Sequence, residues 1–221
     1  VVTDMMETSD VDLGRYISYW FDHTPRRAVY AMSYYKFASK MIGKNKRVLD
    51  VGCSEGLGTW MLAKECGFAC GVDSDDVAIE VAKSNWRDSC IEFQGDDFLT
   101  LEPSQYDAVV NFGAIHHVVR WRHAINEIFR VLKPGGSFYC EEILSRYITH
   151  PLLGRLMDHP QEDRFDTPQF IFALQQNGFH IRGYRQLADL YLWVVAIKPH
   201  QGGAESSERD QFRSADFGAL R

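Results

Sequence analysis

Small and acidic residues follow two apolar stretches in the first half of the chain, at a spacing that suits a nucleoside ligand. Residues Val48–Gly58 read V-L-D-V-G-C-S-E-G-L-G, and Gly71–Ser74 places Asp73 after the second stretch. The pattern predicts a buried strand, a glycine-bearing turn, a helix, and a second strand that ends in an acid. In such a unit the small residues approach the nucleoside, and the carboxylate accepts hydrogen bonds from the ribose hydroxyls.

The charge of this turn distinguishes between two classes of nucleoside ligand. A dinucleotide needs bare backbone N–H groups facing its doubly charged pyrophosphate. Asp50 and Glu55 instead place negative charge at the turn, which repels phosphate. S-adenosylmethionine carries a sulfonium, an ammonium and no phosphate, so the turn favours this methyl donor as the cofactor.

Composition limits the remaining possibilities. The 221 residues, of which 45% are hydrophobic, suffice for one large α/β domain but not for two of ordinary size. A net charge of -6 argues against a general nucleic-acid or anionic-membrane binder. Residues 1–10 do not resemble a secretory signal, and no apolar run has transmembrane length. The five cysteines lack a C-x-x-C pair, which favours reduced cysteines and a cytoplasmic location.

Apolar periodicity predicts alternating strands and helices through most of the chain. The predicted strands are Arg47–Val51, Ala69–Asp73, Ile91–Gln94, Tyr106–Asn111, Ser137–Ile143, Phe179–Gln186 and Leu190–Ile197. The predicted helices are Arg27–Met41, Leu57–Glu65, Asp75–Asn85, Arg122–Leu132 and Thr167–Asn177. The short connection between the last two strands requires them to be antiparallel. We expect an aromatic-rich helical cap over residues 1–45, an α/β domain over 46–198 and a polar tail over 199–221.

The ordered motifs resemble the class I S-adenosylmethionine-dependent methyltransferases, in the small-molecule group related to quinone and sugar methyltransferases. Beyond the two segments above, the resemblance rests on Gly95–Phe98, Tyr106–His117 and Arg130–Gly136. It covers roughly residues 45–198. The resemblance implies a Rossmann-like, doubly wound α/β fold with helices on both faces of a seven-stranded sheet. Its last strand is expected to be antiparallel, between strands five and six.

The resemblance also implies the cofactor-binding residues. The methionine part of the donor is expected beside Asp50, Gly52, Ser54, Gly56 and Asn111. The ribose is expected at Asp73, and the adenine beside Ser74, Asp96, Asp97 and Phe98. Ser54 departs from the glycine that family members often have there, which implies a tolerated variant or a shifted loop. Taken singly, the two glycines could form a plain turn and Asp73 could be a helix N-cap.

His116 and His117 are the candidate catalytic bases. They follow the Tyr106–Asn111 strand at the edge where the donor is expected, and histidine titrates near neutral pH. The structural alternative is that one of them bonds the backbone while the other faces solvent. Ile115 stands where some quinone-related relatives have a carboxylate that can bind a metal. His150, Asp158, His159 and Asp163 fit no common ligand spacing, so we predict no metal.

The expected reaction is methyl transfer to an oxygen or nitrogen of a small molecule, with S-adenosylhomocysteine as product. A sugar or another polar metabolite is one such acceptor. Tyr16, Tyr19, Trp20, Tyr35 and the insert Ser145–Asp166 are expected to set acceptor specificity. Glu141 and Glu142 end a strand near the site; one could contact acceptor or cofactor, and at least one is expected to be solvated.

Alternatives to this function remain open at this point. Residues Asn111–Ala114 read N-F-G-A, not the Pro-Pro-aromatic turn of nucleic-acid methyltransferases, so neither nucleic acid nor a membrane is an expected partner. An oligomer is compatible with the sequence. The two competing functions are a nucleotide-dependent oxidoreductase and a donor-binding but inactive regulatory or scaffold subunit.

Overall fold

The computed structural model describes residues 13–95, 101–151 and 162–200. Its helices are α1 (Gly14–His23), α2 (Pro25–Ile42), α3 (Leu57–Cys66), α4 (Asp76–Asn85), α5 (Trp121–Val131), α6 (Ser145–Ile148) and α7 (Thr167–Gln176). Its strands are β1 (Lys46–Val51), β2 (Gly67–Asp73), β3 (Ile91–Gly95), β4 (Tyr106–Phe112), β5 (Leu132–Ile143), β6 (His180–Leu187) and β7 (Tyr191–Ile197). None of the helices in these ranges is long and apolar enough to cross a bilayer.

The strands form a seven-stranded sheet in the order β3-β2-β1-β4-β5-β7-β6. Strands β1 to β5 are parallel to one another, whereas β7 is antiparallel to both β5 and β6. The predicted fold class and the predicted antiparallel pair are therefore confirmed. The strand order reverses beside β1 and β4, and in open α/β sheets ligands bind at the carboxyl ends of the strands at such a point.

Each face of the sheet is covered by its own hydrophobic core. One core includes Leu49, Val109 and Phe138 with apolar residues of α5 and α7. The other includes Val48, Val110 and Tyr139 with residues of α2 and α3. Because side chains alternate along a strand, the strand residues of the first core point to one face of the sheet and those of the second core to the other. We call these the α5 face and the α2 face.

The predicted elements agree with the structure to within a few residues, with one larger difference. Strand β5 begins at Leu132 instead of the predicted Ser137. The backbone at Gly135 and Gly136 exchanges hydrogen bonds with Lys198, which draws the Pro-Gly-Gly segment into the sheet. The pairing with β4 shifts at the same place, from Tyr106–Leu132 to Ala108–Ser137.

Candidate active site

The turn after β1 is fixed by close packing against the loop after β4. Gly52 has φ 77°, and a Cβ atom there would lie 2.2 Å from the Cβ of Ala114. Ser54 has φ 50°, a conformation that glycine adopts freely. The serine therefore keeps a glycine-like turn. Gly56 permits packing, because a Cβ there would lie 2.6 Å from the Phe93 ring.

Asp73 joins the two loops at the ends of β1 and β2. Its carboxylate accepts hydrogen bonds from the backbone N–H of Ser54 at 2.8 Å and of Asp75 at 2.9 Å. The N-cap of α4 is Asp75, which accepts from the N–H groups of Val77 and Ala78. A carboxylate has about four lone-pair sites, so Asp73 retains the capacity to accept ribose hydroxyls.

Asp50 is fully buried beneath α2 and α3. Its carboxyl accepts hydrogen bonds from the Tyr35 hydroxyl at 3.2 Å and the Thr59 hydroxyl at 2.7 Å. Burial raises the pKa of Asp50 to about 7, and the two hydrogen bonds oppose that shift. Gly58 makes room for the tyrosine, since a Cβ atom there would lie 2.0 Å from the Tyr35 ring. Tyr35 thus positions the carboxyl of the glycine-turn motif.

Glu55 holds α1 against the turn. It is 1% exposed and accepts hydrogen bonds from the Tyr16 N–H at 2.8 Å and the Ser54 hydroxyl at 2.5 Å. Arg15 in the same helix forms an ion pair with Asp75. The negative charge that disfavours phosphate is therefore present at the turn. The Glu55 carboxylate that carries it also binds α1. Sequence reasoning missed this role, because the partners lie 39 residues apart.

Glu142 organises the loop that carries the two histidines. Its fully buried carboxylate accepts from Asn111 Nδ2 at 2.5 Å, from the backbone N–H groups of Ile115 and His116, and contacts His116 Nδ1 at 2.5 Å. Because an ionised carboxylate can only accept, the His116 Nδ1 atom donates. Glu142 thereby fixes the ring of His116, which is 2% exposed.

The two candidate bases differ in exposure. His116 is buried, and its carbonyl accepts a hydrogen bond from Arg164, whereas His117 is exposed with its ring centroid 4.3 Å from that of His116. Their catalytic roles stay predictions. Ser74 is exposed at the end of β2. The expected adenine contacts Asp96, Asp97 and Phe98 lie outside the described residues.

Glu141 lies one residue before Glu142 but on the α2 face. It is 8% exposed, and burial followed by the charge of Glu142 raises its pKa to about 8, while Arg27 lowers it. The expectation that at least one of the two glutamates is solvated is wrong, because both are buried. The sequence signal was available: the pair follows the apolar run Phe138–Cys140 and precedes Ile143.

The edge of the sheet fits S-adenosylmethionine. Asn111 Oδ1 is buried and has no hydrogen-bond partner within the described residues, which leaves an acceptor for an ammonium group. Asp73 can hold the ribose hydroxyls, and the carboxylates of Glu55 and Asp73 favour a cation over a pyrophosphate. In the parts of the chain that the structure covers, no group of three or more His, Cys, Asp or Glu side chains could hold a metal.

Comparison with known proteins agrees with this geometry. Residues 49–140 match the methyltransferase domain family. The chain is 31% identical over 121 residues to a probable S-adenosylmethionine-dependent methyltransferase of Mycolicibacterium smegmatis, covering 55% of this chain and 44% of that protein. It is 31% identical over 104 residues to the ubiquinone biosynthesis O-methyltransferase of Coxiella burnetii, covering 45% and 44%. This chain thus spans less than half the length of these curated relatives.

A solved structure shows the same architecture. The S-adenosylmethionine-dependent methyltransferase from Mesorhizobium loti superposes with a TM-score of 0.60 at 16% identity, over 72% of this chain and 95% of that one. Identity this low carries information on the fold alone. Residues 49–140 are thus similar to a methyltransferase domain, and the sequence relatives include a probable S-adenosylmethionine-dependent methyltransferase.

Proposed function

We propose that this protein transfers a methyl group from S-adenosylmethionine to an oxygen or nitrogen atom of a small molecule, in the cytoplasm. The observation that carries the proposal is the arrangement around Asp73. Its carboxylate holds the turn after β1 and the start of α4 by backbone hydrogen bonds, and it retains acceptor sites for ribose. Asn111 adds a buried acceptor at the next strand end.

The bound cofactor would supply an electrophilic methyl group on a sulfonium. The residues of this chain would bind and orient the reactants, which can supply several kcal/mol of the barrier. Glu142 fixes the histidine loop beside the end of β4, so His116 or His117 could take a proton from an oxygen or nitrogen acceptor. Helix α1 is hydrogen-bonded to Glu55 at the turn after β1 and α2 packs against Phe112, so both helices lie beside this edge.

A small acceptor is supported by charge and by the covering helices. The net charge of -6 disfavours a polyanion. Tyr35 and Tyr34 of α2 pack against Phe112 at ring-centroid distances of 5.0 and 5.6 Å, so α2 forms a wall beside the end of β4. The relative from Coxiella burnetii is named as an O-methyltransferase, which agrees with an oxygen acceptor without identifying it.

Calorimetric titration tests the proposed cofactor. S-adenosylhomocysteine should bind with a micromolar Kd, NADH should not bind, and Asp73→Ala should weaken S-adenosylhomocysteine at least tenfold by removing the ribose acceptor. Asp76→Ala, an exposed acid in the first turn of α4, is the matched control and should bind normally. Selective binding of NADH would contradict the proposal. Cofactor binding without turnover on any acceptor would favour the scaffold subunit.

A further inference from the structure

Three side chains form a continuous row across the sheet at its carboxyl edge. Phe112 of β4 pairs with Glu141 of β5, and Glu141 pairs with Trp193 of β7. Directly paired residues point to the same face, and this face is the one that α2 covers. A carboxyl group therefore lies between two aromatic rings, next to the loop after β4.

Further rings surround the row. Tyr34 of α2 lies with its ring centroid 5.6 Å from that of Phe112, and Tyr191 stacks on Trp193 at 6.2 Å. Burial and the charge of Glu141 raise the pKa of Tyr34, and a hydrogen bond with Trp193 lowers it. These rings are all half-buried, so each keeps part of its surface exposed.

The carboxyl of Glu141 accepts no hydrogen bond from the described residues, and its oxygens keep contact with solvent. The residue as a whole is 8% exposed. Oε2 lies 3.7 Å from the position of a Cβ atom at Gly113, and His116 Cε1 lies 3.6 Å from the same point. The acid thus faces the loop that carries the candidate bases. An acid that is largely buried among aromatic rings, with oxygens that a ligand can still reach, is a candidate for a functional site.

We propose that Glu141, Phe112 and Trp193 form a binding site for a cationic amine. A cation satisfies the carboxylate and is attracted to the faces of the surrounding rings. Resting on the proposed function, this identifies the acceptor as a molecule that carries an ammonium or amine group, held beside the loop after β4.

The titration of Glu141 provides a signature of this binding. Its pKa of about 8 leaves the acid mostly protonated at pH 7. A bound cation favours the ionised form and so releases a proton. The titratable and charged groups around it are Arg27 and Tyr34 on α2, Glu142 on β5, Tyr191 on β7, Arg185 on β6 and His116 after β4.

Calorimetry with a permanent cation tests the site, because such a probe cannot itself titrate. We would titrate the full chain with benzyltrimethylammonium and with its neutral analogue benzyl alcohol, in two buffers of different ionisation enthalpy. The cation should bind at least tenfold more tightly and release about 0.9 proton at pH 7, as a pKa near 8 requires. Its affinity should increase more than tenfold between pH 6 and pH 9. Equal binding of the two probes, or no proton release, would overturn the proposal.

Two variants test whether Glu141 is responsible for the preference for the cation and for the proton release. Glu141→Gln should abolish both the preference for the cation and the proton release, whereas Glu92→Gln, an exposed glutamate on β3, should change neither. The comparison of probes in the wild-type protein stands alone if Glu141→Gln does not fold. S-adenosylhomocysteine, titrated into the same samples, separates the two proposals. If it binds while the cation shows no preference, the amine site is wrong and the proposed function stands; if it does not bind, the proposed function is wrong.

Discussion

The neighbouring carboxyl groups of Glu141 and Glu142 lie on opposite faces of the sheet and differ in the hydrogen bonds that they accept. On the α5 face, Glu142 accepts hydrogen bonds from Asn111, from two backbone N–H groups and from the His116 ring. On the α2 face, Glu141 is also buried but has no donor within the described residues. The first acid is a structural anchor, and the second is available to a ligand. Burial does not distinguish the structural acid from the acid available to a ligand, because both are buried. The number of hydrogen bonds that each carboxyl accepts does.

Another buried carboxyl group on the α2 face does accept hydrogen bonds. Asp50 on that face receives two hydroxyl hydrogen bonds, one from Tyr35 and one from Thr59. Glu141, in the row between Phe112 and Trp193, receives no such hydrogen bond from the described residues, although Arg27 and Tyr34 interact with its charge. The contrast between Glu141 and Asp50 can be tested with variants of these residues and their neighbours.

The largest effect is expected from Glu142→Ala. The substitution leaves the N–H groups of Ile115 and His116 buried without an acceptor, and it removes the partner of the His116 ring. Loss of such a charged network should lower the free energy of unfolding by about 3–5 kcal/mol, measured by urea denaturation. The matched change Glu141→Ala removes no hydrogen bond and should cost less. Equal losses for the two variants would contradict the contrast between the faces.

The free energy of unfolding, measured at a series of pH values, should show the raised pKa of Glu141. The folded pKa of Glu141, about 8, lies above its ordinary value of 4.5, so the native state holds a proton that the unfolded chain releases. This contribution to stability is fully present below pH 4.5 and is lost as the pH rises through 8. Between pH 5 and pH 8 the wild-type protein should lose about 3–4 kcal/mol more than Glu141→Gln. Identical slopes would show that Glu141 has an ordinary pKa.

Asp50 titrates in the same direction, from 3.8 to about 7, and is present in both proteins. The difference between the two urea series therefore isolates Glu141.

A smaller effect is expected where α2 is anchored to Asp50. Tyr35→Phe removes one hydrogen bond to that carboxyl and should cost about 1–2 kcal/mol. Gly58→Ala should cost more in the wild-type background than in Tyr35→Ala, because the added methyl collides with the Tyr35 ring. A double-mutant cycle by urea denaturation measures this coupling. Additive losses would show that Tyr35 is not packed over Gly58.

The smallest effect is expected at Ser54. Ser54→Gly relieves a left-handed φ of 50° but removes the hydroxyl that donates to Glu55. The two contributions oppose each other, so the change in unfolding free energy should stay within about 1 kcal/mol. S-adenosylhomocysteine affinity, measured by calorimetry, should not change. A loss of affinity above tenfold would show that the serine itself contacts the cofactor.

The sequence predicts the fold well because local patterns determine it. Buried strands such as Tyr106–Phe112 appear as apolar runs, and Thr167 follows the capping acid Asp166 with a proline after it. The start of β5 was mispredicted, since its pairing partner Lys198 lies far along the chain and the Pro-Gly-Gly sequence indicates a turn.

The site was predicted less completely, for the same physical reason. The glycine turn, Asp73 and the histidine loop follow strand ends and are visible in the sequence. The contacts of Asp50 with Tyr35 and of Glu55 with Tyr16 depend on how helices dock, which no local periodicity encodes. The different environments of Glu141 and Glu142 follow from strand alternation, but the number of donors on each face requires the folded structure.

The most direct test of this contrast is a titration of side-chain carboxyl carbons by nuclear magnetic resonance. Comparison of the wild-type spectrum with that of Glu141→Gln assigns the Glu141 resonance. Our account predicts that this resonance titrates with a pKa of about 8, because the acid is buried without donors beside Glu142. A pKa close to the ordinary value of 4.5 would contradict the account.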